Sequence, residues 1–190
     1  MSKKDPENPV REPADRSSLI DATYKTLNDR HHIIYEFVMR YNDYIYENHN
    51  YGTGVPLTMI ESHTLTYIDD HPGTTVTELT RFWHKTKGAL SQIVSRLEKN
   101  GFVTKSKTED NAKTVHLTTT EEGHRVSNVH KMYDIKDISK TLAELGEKCS
   151  PEEIETFFKV MNVYYNVISK DFEENRIVKR QGRRKKKKTE

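Results

Sequence analysis

The sequence predicts a mainly α-helical fold with one small β-hairpin, arranged as a winged helix-turn-helix. Three observations predict it. From Ile20 to Asn48 apolar residues recur at alternating spacings of four and three, the stripe of a long amphipathic helix. Two short helical patterns, "TVTELTRFWHK" and "TKGALSQIVSRLEKN", follow in the order of a helix-turn-helix. The next stretch, "FVTKSKTEDNAKTVHLT", alternates like two strands joined by a polar tip, which makes the wing.

The first two helices have clear boundaries. Ser17 or Ser18 is suited to cap the first helix, and "NYGTGVP" ends it. A helix with so long an apolar stripe needs an equally long partner surface. Pro56 opens the second segment, "LTMIESHTLTYIDDHPG", which the Pro-Gly pair stops.

The helix-turn-helix itself has local signals at each boundary. Thr75 with Glu78 three residues later fits a capping box for the short helix. Thr86 is suited to cap the next helix, and Gly101 fits the left-handed turn after it. The residues expected to face inward are Val76, Leu79 and Phe82 on the first of these helices and Leu90, Ile93, Val94 and Leu97 on the second.

Two further helices follow the wing. Thr119 and Glu122 fit a capping box for the fifth helix, and Ser150, Pro151 and Glu153 make a strong start for the last. One face of the last helix is apolar at helical spacing, formed by Ile154, Phe157, Met161, Tyr164, Ile168 and Phe172.

Composition limits the function classes. The 190 residues carry a net charge of +2, but the last twelve, "KRQGRRKKKKTE", contribute +7, so the other 178 sum to −5. Nucleic-acid affinity would therefore come from local patches and this tail, which is either a solvated charge run or an attractor of phosphate. One cysteine, Cys149, excludes an internal disulfide and favours an intracellular, cytoplasmic setting. No apolar run is long enough to span a membrane, and no secretory signal is evident.

At this point the residues resemble a known family. "TVTELTRFWHKTKGALSQIVSRLEKNGFVTKS", followed by "TTEEG" after the hairpin, is similar to the MarR family of bacterial and archaeal transcription regulators. The resemblance covers residues 20–175. It implies a homodimer whose first and last helices interlock, with the two winged heads on half-sites of a pseudo-palindrome in double-stranded DNA.

The second helix of the motif is then the candidate recognition helix. A recognition helix reads base edges in the major groove with the exposed side of its N-terminal half. Small residues there permit close approach, and Ser and Gln offer hydrogen bonds to bases. The predicted DNA-binding residues are Thr75, Thr77, Thr86, Lys87, Ala89, Ser91, Gln92, Ser95, Arg96, Lys105, Lys107 and Lys113. The threonines of the short helix could bind phosphate or only cap the helix.

The wing tip departs from the family pattern. The family usually has Asp-x-Arg there, whereas this chain has "EDNAKT". Alignment on Leu117 puts Asn111 at the Arg position, whereas alignment on the start of the next helix puts Lys113 there. We favour the second alignment, which keeps a cation at the tip. Because Lys lacks the planar fork of Arg, a weaker or less specific wing contact is expected.

Effectors are harder to predict. Family members bind phenolic or lipophilic effectors, and some sense zinc. The ten tyrosines either line such a pocket or belong to the core and the dimer interface. His124 and His130 are six residues apart and do not share a helix face, so no metal site is predicted and the effector is unknown.

The sequence thus predicts a transcriptional regulator, a repressor on a pseudo-palindromic operator, released by a small-molecule effector. The alternative is a largely non-specific architectural protein driven by the tail. No catalytic constellation is recognisable, so neither an enzyme nor a cofactor is expected. The predicted organisation is an N-terminal arm (1–16), a dimerisation helix (17–50), the winged helix-turn-helix (56–123), C-terminal dimerisation helices (124–176) and a disordered basic tail (177–190).

Overall fold

A computed structural model describes residues 13–52, 54–108 and 111–186. The elements are α1 (Pro13–Tyr46), β1 (Asn48–His49), β2 (Leu57–Thr58), α2 (Met59–Asp70), α3 (Val76–Trp83), α4 (Lys87–Lys99), β3 (Val103–Thr108), β4 (Asn111–Thr119), α5 (Glu121–Gly146) and α6 (Pro151–Lys186). The chain divides into two compact units, residues 1–131 and 132–190. This order confirms the predicted fold class, mainly helical with a two-stranded wing.

The core of the first unit joins α2, α3 and α4 to the base of the wing. Its apolar side chains are buried and in mutual contact, and they include Leu57, Leu65, Ile68, Leu79, Leu90, Val94, Leu97, Phe102, Val103, Leu117 and Val126. Each helix contributes the side chains that its 3.6-residue period puts on one face. Burying these faces holds the opposite side of α4 toward solvent.

Phe82 is a correction to the sequence expectation. Its side chain is 52% exposed rather than inward-facing. The ring instead lies on the surface against Tyr67, with centroids 4.4 Å apart, and against Trp83. An eight-residue helix has little room for a third core position, and Leu79 takes the buried one.

Caps set the ends of the short helices. Thr75 and Glu78 form the predicted capping box, and Thr86 accepts a hydrogen bond from the backbone N–H of Ala89 at the start of α4. A further capping box, Thr58 with Glu61, begins α2. Thr58 also pairs with Asn48 in the short β1–β2 ladder, an element the sequence did not suggest.

The wing is anchored at its base. β3 and β4 pair antiparallel, and Gly101 turns the chain into β3 with a φ of +77°, as predicted. On the other side of β4, Leu117 exchanges two 2.8 Å backbone hydrogen bonds with the α2–α3 loop, from Gly73 N–H and to Thr74 C=O. The hairpin is therefore held at a defined position beside α3 and α4.

The start of α5 differs from the expectation by one residue. Thr120, not Thr119, accepts a hydrogen bond from the backbone N–H of Gly123, at 2.9 Å. Thr119 is the last residue of β4, and its hydroxyl donates to Asp69 instead. The strand thus extends one residue further than the local capping pattern indicated.

The second unit contains the rest of α5 and α6. Ser150 and Glu153 form the predicted reciprocal cap at the start of α6. Helix α6 runs to Lys186, past the expected boundary at residue 176. The helix continues because lysine and arginine, which dominate this segment, are good helix formers. Helix α1 similarly begins at Pro13 rather than 17 and ends at Tyr46. Residues 1–12 of the expected arm and 187–190 of the tail lie outside the described residues.

Candidate nucleic-acid interface

Helix α4 presents a polar surface beside the wing. Lys87, Gln92 and Ser95 are exposed, as is Arg96, whereas Ser91 and Ala89 are partly buried. Leu90, Val94 and Leu97 of the same helix are fully buried. The predicted DNA-facing and core-facing sides of this helix are therefore opposite each other.

An open cleft lies where α3, α4 and the wing meet. It is lined by Thr75, Val76, Thr77, Glu78, Arg81, Lys87, Ser91, Lys105, Thr114 and Val115. Five of these were predicted from sequence as DNA-binding residues, and here they share one concave surface. Three cations and one carboxylate give the cleft a local positive charge, although the body of the chain is acidic.

Thr75 and Thr86, two of the threonines predicted to bind DNA, also cap helices. The Thr75 hydroxyl donates to Glu78 Oε2 at 2.8 Å, and the Thr75 backbone N–H donates to the same oxygen at 2.7 Å. These hydrogen bonds from Thr75 hold the pKa of Glu78 below its usual value. The carboxylate thus occupies the amino end of α3, so Thr77, which is exposed, is better placed than Thr75 to meet a phosphate.

The wing lysines differ in their surroundings. Lys105 Nζ lies 2.5 Å from Glu98 Oε2, an ion pair in which both side chains are about a third or more exposed. Such a pair is screened by solvent and exchanges readily for a phosphate. Lys107 is exposed, and the side chain of Lys113 lies outside the described part of the chain.

Three more of the predicted residues line a different cleft, whereas Thr86 and Ser95 line neither of the two. Ala89, Gln92 and Arg96 line a concavity on the α1 and α2 side of α4, together with Tyr46, Ile60, Glu61, Lys85 and Ile93. Lys85 Nζ donates to the Tyr46 hydroxyl oxygen at 2.7 Å. Arg96 pairs with Glu61, at 3.0 Å.

Sequence reasoning missed Arg81 and Glu61. Arg81 follows Thr77 by four residues on α3, which put it on the same helix face as the predicted Thr77. No local pattern in the sequence marks Glu61, because Glu61 contacts Arg96 of α4, a helix that begins 26 positions later in the chain.

A buried carboxylate joins α2, the wing and α5. Asp69, whose side chain is 6% exposed, accepts hydrogen bonds from the Thr119 hydroxyl at 3.0 Å and from His124 Nδ1 at 2.8 Å. Lys131 Nζ lies 3.4 Å away. Burial raises the pKa of Asp69, but the hydrogen bonds from His124 and Thr119 help to outweigh it and keep the pKa below the usual value. Asp69 thereby fixes the base of the wing.

Two histidines from different helices are in contact, with ring centroids 4.7 Å apart. The ligand nitrogens of His63 on α2 and His130 on α5 lie within 4.8 Å of each other, and their ring planes are nearly perpendicular. Burial first, and then the nearby His63 and His49, lower the pKa of His130 to about 4. The prediction of no metal site rested on the spacing of His124 and His130, and spacing along one helix could not reveal a partner on another.

Comparison with known proteins shows what the head of this chain is similar to. Residues 57–115 match the model described as the MarR family. The matched segment contains α2, α3, α4 and most of the wing.

A curated relative is described as an HTH-type transcriptional regulator. The uncharacterized HTH-type transcriptional regulator YhjH of Bacillus subtilis (strain 168) is 30% identical over 104 residues, which is 55% of this chain. The match spans 59% of that relative's length.

Solved structures share the fold. FabT of Streptococcus pneumoniae, in complex with DNA, superposes with a TM-score of 0.56 at 21% identity, over 77% of this chain and 97% of FabT. ZitR of Lactococcus lactis, described as a zinc-responsive MarR family member, gives 0.57 at 20% identity, over 77% and 99%. Within residues 13–52, 54–108 and 111–186, no helix combines the length and apolarity needed to cross a bilayer.

Proposed function

We propose that this chain belongs to the MarR family and is a homodimeric, sequence-specific DNA-binding regulator that represses by occupying a pseudo-palindromic operator. The observation that supports it best is the positively charged cleft, in which α3, the exposed side of α4 and the wing converge. A capped, exposed helix beside a hairpin is the arrangement that enters the major groove and contacts the flanking backbone. FabT, with the same fold, was solved with DNA bound.

Each part of the interface has a role in the proposal. Helix α4 enters the major groove, where Ser91 and Gln92 read base edges. Ala89, which packs against the core, permits close packing of α4 on the head. The backbone is held by Thr77 and Arg81 from α3, by Lys87 and Ser95 from α4, and by Lys105, Lys107 and Lys113 from the wing. Thr75 and Thr86 act mainly by capping their helices.

Dimerisation is proposed from the apolar surface outside the head. Large apolar side chains that are about half exposed or more occur along α1 (for example Leu19, Tyr24, Leu27, Phe37 and Met39) and along α6 (Phe157, Phe158, Val160, Val163 and Val167). Large apolar side chains exposed in this number along a helix indicate an interaction surface. A second copy of the chain is the occupant that also supplies the two heads a palindromic operator requires.

A selection of genomic DNA fragments by the purified full chain tests the proposal. We expect one palindromic site, retained at two salt concentrations and in a variant lacking residues 179–190. The genes beside that site would identify the regulated pathway. A cytoplasmic location belongs to the same proposal, because such a regulator acts on the chromosome.

The alternative function is a largely non-specific architectural protein that uses the basic tail. It predicts diffuse recovery of fragments, lost at the higher salt or when residues 179–190 are removed, because tail contacts are electrostatic. The cleft favours the regulator, since it lies on the head and not in the tail.

We also propose that a transition-metal dication is the effector. His63 and His130 supply two imidazoles whose ligand nitrogens lie within 4.8 Å of each other. Imidazole nitrogen is a preferred ligand of Zn²⁺. The lowered pKa of His130 keeps that imidazole neutral near pH 7, the form in which it binds metal.

Calorimetric titration of the full chain with Zn²⁺ tests this second proposal, with thermal unfolding as an independent readout. We expect one bound ion per chain and a raised Tm, both lost in His63→Ala. The matched control is His32→Ala, because His32 is exposed on α1. Equal Zn²⁺ binding by the His63 variant would exclude this site.

A further inference from the structure

Arg96 of the recognition helix is engaged by a buried carboxylate. Its Nη1 lies 3.0 Å from Oε1 of Glu61, whose side chain is 5% exposed. The other oxygen, Oε2, accepts from the backbone N–H and the hydroxyl of Thr58, each at 2.9 Å. Glu61 therefore binds the cap of α2 with one oxygen and helix α4 with the other.

This pair is unlike the exposed pair on the wing. Glu98 and Lys105 are both partly exposed, so either can be released into water at little cost. Glu61 is buried, and leaving a buried carboxylate without its cation is strongly unfavourable. Arg96 consequently cannot leave Glu61 for a phosphate as freely as Lys105 can leave Glu98.

A second contact holds the amino end of the same helix. Lys85 directly precedes the α4 cap, Thr86, and donates to the hydroxyl of Tyr46, the last residue of α1. Its Nζ also lies 5.3 Å from the Tyr46 ring centroid. Lys85 and Arg96 thus line the cleft on the α1–α2 side of α4, whereas Lys87 lines the cleft beside the wing.

We infer that Arg96 is a positioning residue that fixes α4 against α2. Glu61 binds the Arg96 guanidinium and thereby keeps that positive charge from neutralising a DNA phosphate. This inference rests on the proposed function and reassigns one residue predicted to bind DNA. It makes Glu61 a determinant of salt dependence: each head neutralises fewer phosphates than its exposed cations would allow.

The salt dependence of DNA binding tests the inference. The full chain and its variants are titrated with the selected operator and with a random duplex across a series of salt concentrations. Lys87→Gln is the matched control and should lower the slope of log K against log salt by about 0.9 for each lost phosphate contact. Arg96→Gln should leave the slope unchanged. A fall in slope equal to that of the control would overturn the inference.

Glu61→Gln tests the inference with a change in the opposite direction. Once Glu61 is neutral, the charge of Arg96 is available to phosphate, so the slope should steepen and random duplex should bind more tightly. The double variant, Glu61→Gln with Arg96→Gln, removes a charge and its buried counter-charge together. It should fold and return the slope to that of the unmodified protein. An unchanged slope in Glu61→Gln would contradict the inference.

A measurement without DNA separates this inference from the proposed function. If no duplex binds the unmodified protein, the proposed function fails. The positioning role is then judged from thermal unfolding of the two single variants and the double variant. We expect the loss of Tm in the double variant to be smaller than the sum of the single losses, because Arg96→Gln alone leaves the buried Glu61 carboxylate without its cation and the double variant does not. Additive losses would overturn the positioning role.

Discussion

Gly123 shows how one missing side chain permits the junction between the wing and α5. A Cβ added there would lie 1.9 Å from the Phe102 carbonyl oxygen. That oxygen accepts the backbone N–H of Thr120 at 3.0 Å, the bond that joins the end of β4 to the start of β3. Glycine is therefore required by close backbone approach and not by an unusual φ.

We expect Gly123→Ala to lower the free energy of unfolding by about 2–4 kcal/mol, because the clash is with backbone that cannot move aside. Urea denaturation measures this change in the free energy of unfolding. The control is Gly88→Ala, where an added Cβ meets open space on a helix, and stability should rise by up to about 1 kcal/mol. A loss at Gly123 no larger than 1 kcal/mol would show that the junction can shift.

His130 predicts a pH dependence of stability in metal-free protein. Its folded-state pKa is about 4, against an ordinary value of 6.5, because the ring is buried beside His63 and His49. Between these values the unfolded chain binds the proton and the folded chain does not. Stability should be full above about pH 6.5 and fall by on the order of 2–3 kcal/mol as the pH drops to about 4.

Unfolding measured with a chelator present across this range checks the prediction. His130→Gln cannot titrate and should flatten the slope between pH 6.5 and 4, whatever its absolute stability. A slope that is the same in the variant would assign the pH dependence to other groups.

At the scale of elements, Asp69 and its neighbour Asp70 form a natural comparison. Asp69 is buried and bonded to the wing and to α5, whereas the side chain of Asp70 is 51% exposed and pairs only with Lys131 among the contacts described. Adjacent residues on one helix thus have different structural roles.

Asp69→Asn should cost about 2–3 kcal/mol, since an amide cannot accept all of these hydrogen bonds and carries no charge to pair with Lys131. Asp70→Asn should cost less than about 1 kcal/mol, as expected for an exposed ion pair. Amide hydrogen exchange should locate the loss for Asp69 at the base of β4. Equal costs for the two variants would contradict the anchoring role of Asp69.

At the scale of the whole molecule, the apolar face of α6 carries the dimer proposal. Phe157 lies on this face and is 51% exposed in the single chain. We expect Phe157→Glu to convert the protein to a monomer in sedimentation experiments. Operator affinity should fall by about a hundredfold or more, because two linked heads bind with an effective concentration that one head lacks.

Lys159→Glu is the control for this variant, since Lys159 is exposed two residues away and off the apolar face. It changes charge on the same helix but should leave the assembly intact. A dimer that persists in Phe157→Glu would move the interface away from α6.

The sequence by itself determined those features that depend on neighbours within a few residues. The helix periods, the caps at Thr75, Thr86 and Ser150, the turn at Gly101 and the hairpin are all local, and the structure has each of them. The family resemblance rests on the same local pattern. The capping position of α5 was wrong by one residue, because Asp69 binds Thr119 from another helix.

Only the tertiary structure decided which distant residues meet. Arg96 with Glu61, His63 with His130, and Gly123 with the Phe102 carbonyl each join positions dozens of residues apart or on different elements. Exposed Arg96 and buried His130 carry no local mark of these partners, because burial and pairing arise only when apolar faces of separate helices pack together. The separation of α4 into a side facing the wing and a side held by α1 and α2 comes from that packing.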